Sequence, residues 1–164
     1  MREILFRGKR EADNEWILGS LIVWPDGDTQ IYRHTHKGMC VMGKSMVQSE
    51  TVGQYTGLTD KNGKKIFEGD VIRYNTFDDF DCHSVVKFGK YEQDGSAGEY
   101  NPKSCIGWYC EVDNFTAPDW ADEDPVFFFN DYLKQQNLLE VNDECEIIGN
   151  IHDNPELLGG EGDG

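Results

Sequence analysis

The stretch with the most conspicuous chemistry is Gly38-Met39-Cys40-Val41-Met42-Gly43-Lys44-Ser45, which fits the phosphate-loop pattern G-x-x-x-x-G-K-[ST]. In a true loop of this kind, backbone amides wrap the phosphates, the lysine reaches the outer phosphates and the serine holds magnesium. That arrangement needs a buried strand before the loop and a long helix after it. Here the polar run Arg33-His34-Thr35-His36-Lys37 comes first, and only seven residues separate Ser45 from Gly53. Met, Cys, Val and Met at the variable positions read as a strand. Val126-Phe127-Phe128-Phe129-Asn130-Asp131 imitates the apolar run before a magnesium-binding aspartate, but its aspartate is one position late. The match is therefore expected to be coincidental.

Other chemistry-bearing groups are equally incomplete. His34 and His36 with Cys40 lack a fourth ligand at zinc-site spacing, and a His-x-His pair on a strand shares one face by periodicity alone. Asp78, Asp79 and Asp81 crowd a turn but lack the calcium-loop order and its distal glutamate, so a solvated loop is expected. Cys40, Cys82, Cys105, Cys110 and Cys145 are odd in number and irregularly spaced, which predicts reduced thiols rather than a disulfide framework. No nucleophile elbow and no H-E-x-x-H motif is present. No catalytic residue, metal ligand or cofactor is implied. Two speculative surfaces remain: an aromatic cleft of Tyr55, Tyr74, Trp108 and Tyr109, and an acidic patch of Asp119, Trp120, Asp122, Glu123 and Asp124. Core packing is the competing role for the four ring residues.

The elements around these groups read as short strands joined by turns. Ile4–Gly8 and Trp16–Val23 form a hairpin, and Thr29–Arg33 follows as a half-exposed strand. Gln54–Leu58, Lys65–Phe67 and Val71–Tyr74 are extended runs separated by Asp60-Lys61-Asn62-Gly63 and Glu68-Gly69-Asp70. Asn-Gly suits the positive φ of a primed hairpin turn. Ser84–Gly89 and Ile106–Val112 are further strands, with 89–104 as a loop and 113–124 as an acidic loop. Asp124-Pro125 followed by Val126, Phe129 and Leu133 predicts a short amphipathic helix to about Leu139, although Val-Phe-Phe-Phe also suits a buried strand. Glu144–His152 is the last strand, Asn154–Leu158 a capped helical turn, and 159–164 a disordered tail.

At 164 residues, 38 % apolar and 12 % aromatic, the chain can bury a ring-rich core. Its net charge of −16 is uneven: residues 1–110 hold 16 acids and 14 bases, whereas residues 111–164 hold 15 acids and Lys134 alone. That field disfavours direct nucleic-acid binding, which draws affinity from Lys and Arg. Neither a membrane-spanning run nor a signal peptide is visible.

Two blocks, Thr51–Leu58 with Asp60–Lys64 and Ile66–Ile72, and Ile147–Leu158, resemble the YopX family of bacteriophage and prophage proteins. Arg2-Glu3-Ile4-Leu5-Phe6-Arg7-Gly8 with Trp16 and Gly19 is similar to that family's start. The resemblance implies a phage or prophage origin, the cytoplasm of a bacterial host and a mostly β fold, and it brings no catalytic or ligand-binding residues. The strand order from Phe67 to Phe88 is similar to small SH3-like barrels. The expected architecture is mainly β with minor α: a small SH3-like or partly open barrel with an N-terminal hairpin extension and one or two short helices. It would be a single domain over residues 1–158, with the hairpin at about 1–24, the barrel core at about 51–152 and an acidic insertion at about 89–142.

Function is expected to be that of an accessory protein-interaction module, non-enzymatic, binding an unidentified host or phage protein. The alternatives are an acidic mimic of nucleic acid that inhibits a defence or replication protein, and a binder of a small, nucleotide-like ligand. Exposed strand edges allow self-association.

Overall fold

The computed structural model describes residues 3–33, 43–76, 79–94, 102–116 and 134–159. Two compact units emerge, Met1–Gly57 and Leu58–Gly164. Among the described residues the strands make two antiparallel sheets and no closed barrel. The chain is mainly β with minor helices, as expected.

In the first unit the strands are β1 (Phe6–Lys9), β2 (Trp16–Val23), β3 (Thr29–Tyr32), β4 (Lys44–Met46) and β5 (Gly53–Thr59), ordered β4-β3-β2-β1-β5. The expected hairpin is formed by β1 and β2. Its turn is fixed by Arg10, which binds both Asp13 and Glu15, and by Asn14 at φ 59, a left-handed conformation Asn tolerates. Alternation sends Ile17 inward against Ile31 and Val47, with Phe6, Leu21 and Val52 packed around them. At Gly19 the neighbouring strand comes so close that a Cβ would lie 2.0 Å from the Tyr32 carbonyl oxygen. No side chain fits there.

Strand β5 runs past Gly57 into the second unit, where β6 (Lys65–Phe67) pairs beside it. The remaining strands are β7 (Asp70–Asn75), β8 (Asp81–Asp94), β9 (Pro102–Thr116), β10 (Gln135–Asn137) and β11 (Glu146–Asn150). They are ordered β10-β9-β8-β7-β11. One helical turn, α1 (Leu138–Val141), is capped by the Asn137 side chain, which accepts from the Leu139 N–H at 3.0 Å. The core gathers Ile66, Ile72, Tyr74, Phe80, Cys82, Val86, Cys110, Val112, Leu138 and Cys145.

Several expectations are corrected. The loop expected over 89–104 is strand as far as Asp94 and again from Pro102. Cross-strand pairs carry the ladder onward: Tyr91 stacks on Tyr109 with ring centroids 5.2 Å apart. Likewise 113–116 is strand, not loop. The helix expected to run to about Leu139 does not include Gln135–Asn137, which pair with Tyr109–Glu111; helix begins only after the Asn137 cap. Residues 117–133 lie outside the described part. In the aspartate-rich turn Asp79 is exposed, while Phe80 is buried against Phe115 and Asp81 is forked at the surface by Arg73; Asp78 lies outside the described residues.

Candidate functional site

The turn Asp60–Gly63 is held by side-chain chemistry that the Asn-Gly pattern alone does not reveal. Gly63 takes φ 77, whereas Asn62 is not among the positive-φ residues, so the turn is not a primed one. Instead the Asp60 carboxylate accepts the Asn62 and Lys64 N–H groups on Oδ1, each at 2.9 Å, and the Ile147 N–H on Oδ2 at 3.2 Å. Burial, the largest single influence, pushes this carboxyl's pKa up. The donors from Lys64, Ile147 and Asn62, with the Lys64 charge, outweigh it, and the pKa is lowered overall. The same clamp includes Lys61 N–H to the Cys145 carbonyl and the Asn142 side-chain amide to the Thr59 carbonyl. At the next turn the buried Asp70 accepts the Phe67 N–H at 2.7 Å, and the Gly69 carbonyl accepts the Ile151 N–H at 3.0 Å. The two sequence blocks that carried the family resemblance are therefore bonded to one another. Their acids are structural ties.

The thiols are similarly committed to the interior. Cys82, Cys110 and Cys145 are buried and free, and burial pushes their pKa values up to about 12, about 12 and about 11. Tyr74, also raised by burial, lies 3.3 Å from Ser84 Oγ and 3.6 Å from Cys110 Sγ. None of these thiols is poised as a thiolate near neutral pH. Among the described residues, no group of three His, Cys, Asp or Glu side chains could hold a metal.

The aromatic candidates are divided between the two units. Tyr55 is buried in the first unit. In the second, Tyr74 belongs to the core, while Trp108 and Tyr109 are neighbours on β9 and point to opposite faces. Lys44 and Ser45 of the phosphate-loop match sit on strand β4, paired with Tyr32 and Ile31, and only a three-residue 3-10 turn, Ser49–Thr51, follows before β5 rather than the long helix a phosphate loop needs. His34, His36, Cys40, Asp119, Trp120, Asp122, Glu123 and Asp124 lie outside the described residues. A polar hollow of about 280 Å³ is lined by Lys61, Arg73, Tyr74, Asn75, Glu144 and Glu146. Its cations are matched to carboxylates: Lys61 to Glu146 at 2.7 Å and Arg73 to Asp81 at 2.6 Å.

What the sequence reading missed is an overhang. On β8 and β9 the face that covers the core at Val86 and Cys110 continues outward through the pairs Phe88–Trp108 and Lys90–Ile106. Phe88 is 56 % exposed and Ile106 80 %, with Phe88 edge-on to Trp108 at 5.0 Å. The Trp108 indole N–H is buried without an acceptor. Alternation about Phe88 and Ile106 was the available signal, but exposure depends on where the opposing layer ends, which strand periodicity does not encode.

Comparison with known proteins adds the following. A family model described as YopX protein matches residues 5–159, including the middle of the chain where the resemblance was weakest. Among solved structures, the crystal structure of protein EF1440 from Enterococcus faecalis is similar at 19 % identity and a TM-score of 0.46, covering 97 % of this chain and 100 % of that one. No curated protein matches. Among the described residues, no helix is long and apolar enough to cross a membrane.

Proposed function

The chain belongs to the YopX family, and on that footing we propose that it is a phage or prophage accessory protein that acts by binding another protein. The observation that carries this reading is the overhang: a core-type apolar face, Phe88 and Ile106, left in solvent beyond the layer that covers the rest of it. Exposed apolar surface of this kind marks interaction sites. Asp60, Asp70 and the three buried thiols are all occupied in holding the fold, which leaves no reactive group for catalysis among them. Affinity capture from infected bacterial lysate with the wild-type chain and with Phe88→Ser plus Ile106→Ser tests it. The expected result is a protein retained by the first and lost by the second. An identical captured set would refute the role of the overhang.

A second reading rests on charge. Residues 58–164 carry 24 of the 31 acids and 8 of the 15 bases, so the whole net charge of −16 resides there. Such a surface suits an inhibitor that competes with nucleic acid for a basic partner, and its binding weakens steeply with salt. Retained binding after neutralising Asp119, Asp122, Glu123 and Asp124 would exclude it.

A further inference from the structure

The first unit carries another surface, built from different residues. Along β2 the odd positions Ile17, Gly19 and Leu21 face the core, so Leu18, Ser20 and Ile22 face away from it. Leu18 is 48 % exposed and Ile22 38 %. Tyr32 lies across from Ser20 and Lys44 across from Tyr32, continuing the face to the sheet edge. At its other margin, Trp16 is flanked by Arg7 at 4.8 Å and Lys9 at 5.6 Å from the ring centroid.

The charge of this face sets it apart from the rest of the molecule. Over the chain acids outnumber bases 31 to 15. Yet the strands Phe6–Lys9, Trp16–Val23, Thr29–Tyr32 and Lys44–Met46 contain Arg7, Lys9 and Lys44 and no Asp or Glu. Every acid of the first unit is placed outside its strands. An aliphatic centre with cationic margins is complementary to a ligand that is both apolar and acidic.

We infer that this outward face docks an acidic, leucine-bearing polypeptide segment of a partner protein, with aliphatic side chains on Leu18 and Ile22 and carboxylates toward Lys9 and Lys44. Its size favours a segment over a whole folded surface. Four strands spaced about 4.8 Å apart, and Leu18 to Ile22 spanning about 13 Å, give a patch of only a few hundred Å². A stable interface between folded proteins buries roughly 800 Å² per side. Single-stranded nucleic acid fits less well, because it needs open ring faces on which bases stack. Here the Trp16 ring is engaged by its neighbouring cations and the exposed centre of the face, Leu18 and Ile22, is aliphatic; the one open indole of this unit among the described residues, Trp24, lies beyond the end of β2.

The test is fluorescence anisotropy of the full chain with a short labelled peptide of repeated Glu-Glu-Leu, its Gln-Gln-Leu counterpart, and oligothymidylate of matching length. The acidic peptide should bind, and more weakly as NaCl rises. Leu18→Asp with Ile22→Asp should weaken it more than about tenfold, and Lys9→Gln with Lys44→Gln by about threefold to tenfold. Lys9 and Lys44 lie at the margins, so the second pair answers even if the first disturbs folding. Equal binding of the Gln-Gln-Leu peptide, indifference to the lysine pair, or tighter binding of oligothymidylate would overturn the inference. So would self-association in sedimentation that the Leu18/Ile22 pair abolishes, since the face would then belong to a second copy. Phe88→Ser with Ile106→Ser should leave peptide binding unchanged; loss there would move the peptide to the overhang, sinking this inference while sparing the interaction reading.

Discussion

Replacing Asp60 by Asn changes one atom of consequence. The Asn side-chain oxygen can keep the position that accepts from Asn62 and Lys64, but an NH2 group then meets the Ile147 N–H where Oδ2 accepted it at 3.2 Å. Asp60 is 5 % exposed, so water cannot easily repair the mismatch. A hydrogen bond to a charged group contributes about 1.5–3 kcal/mol, and a buried donor left unsatisfied costs about 1–3 kcal/mol. These overlap, so Asp60→Asn should destabilise by roughly 2–4 kcal/mol, a sizeable part of the 5–15 kcal/mol typical of a domain. The effect should also depend on pH. Folding lowers this carboxyl's pKa, so its stabilisation is complete above the unfolded value of about 3.9 and is lost as pH falls through the lower folded value. Urea unfolding of both proteins should show a gap that is constant near neutral pH and shrinks only below about pH 4. A gap under about 0.5 kcal/mol at neutral pH, or one unchanged in acid, would refute the clamp.

Three further outcomes follow from the geometry. Gly19→Ala should cost about 3 kcal/mol or more in urea unfolding, because its Cβ would overlap the Tyr32 carbonyl, while Gly43→Ala, with nothing within 4 Å, should be close to neutral. Maleimide labelling read by peptide mass spectrometry should leave Cys82, Cys110 and Cys145 unmodified at mildly alkaline pH until denaturant is added, as their raised pKa values and burial require. Tyr74→Phe should lower stability by about 1 kcal/mol, the worth of its contacts with Ser84 and Cys110; a larger loss in thermal melting would assign the hydroxyl a further role.

Much of the β architecture was legible because alternation and turn residues act locally. The runs at 16–23, 65–67 and 71–74 fall where period-two patterning and Gly-containing turns place them. Less legible was everything fixed by a partner far along the chain. Asp60 looked like turn punctuation, but its third donor is Ile147, 87 residues away. The reach of β8 and β9 depends on pairs such as Tyr91 with Tyr109, which neither strand announces alone. Gln135–Asn137 is strand because β9 offers an edge there, although Val126, Phe129 and Leu133 suggested helix. The overhang and the outward face of β2 were hidden for a related reason: Trp-Ile-Leu-Gly-Ser-Leu-Ile-Val is apolar on both faces, and sequence alone does not say which one is covered.

The bond from Asp60 to Ile147 also closes a long chain loop, and polymer statistics give that closure a consequence for how such a protein can change. The entropy of joining two chain ends grows only with the logarithm of the intervening length, so doubling the loop costs about 0.6 kcal/mol. The connections between the strands of that span can therefore change length at small thermodynamic expense, whereas the strands themselves, which bring Cys82, Val86, Cys110 and Val112 to the core, cannot. The arm of β8 and β9 and the acid-rich residues after it lie within that loop. The clamp and the core strands thus hold a frame of constant length, and the connections between those strands are where new partners can be accommodated.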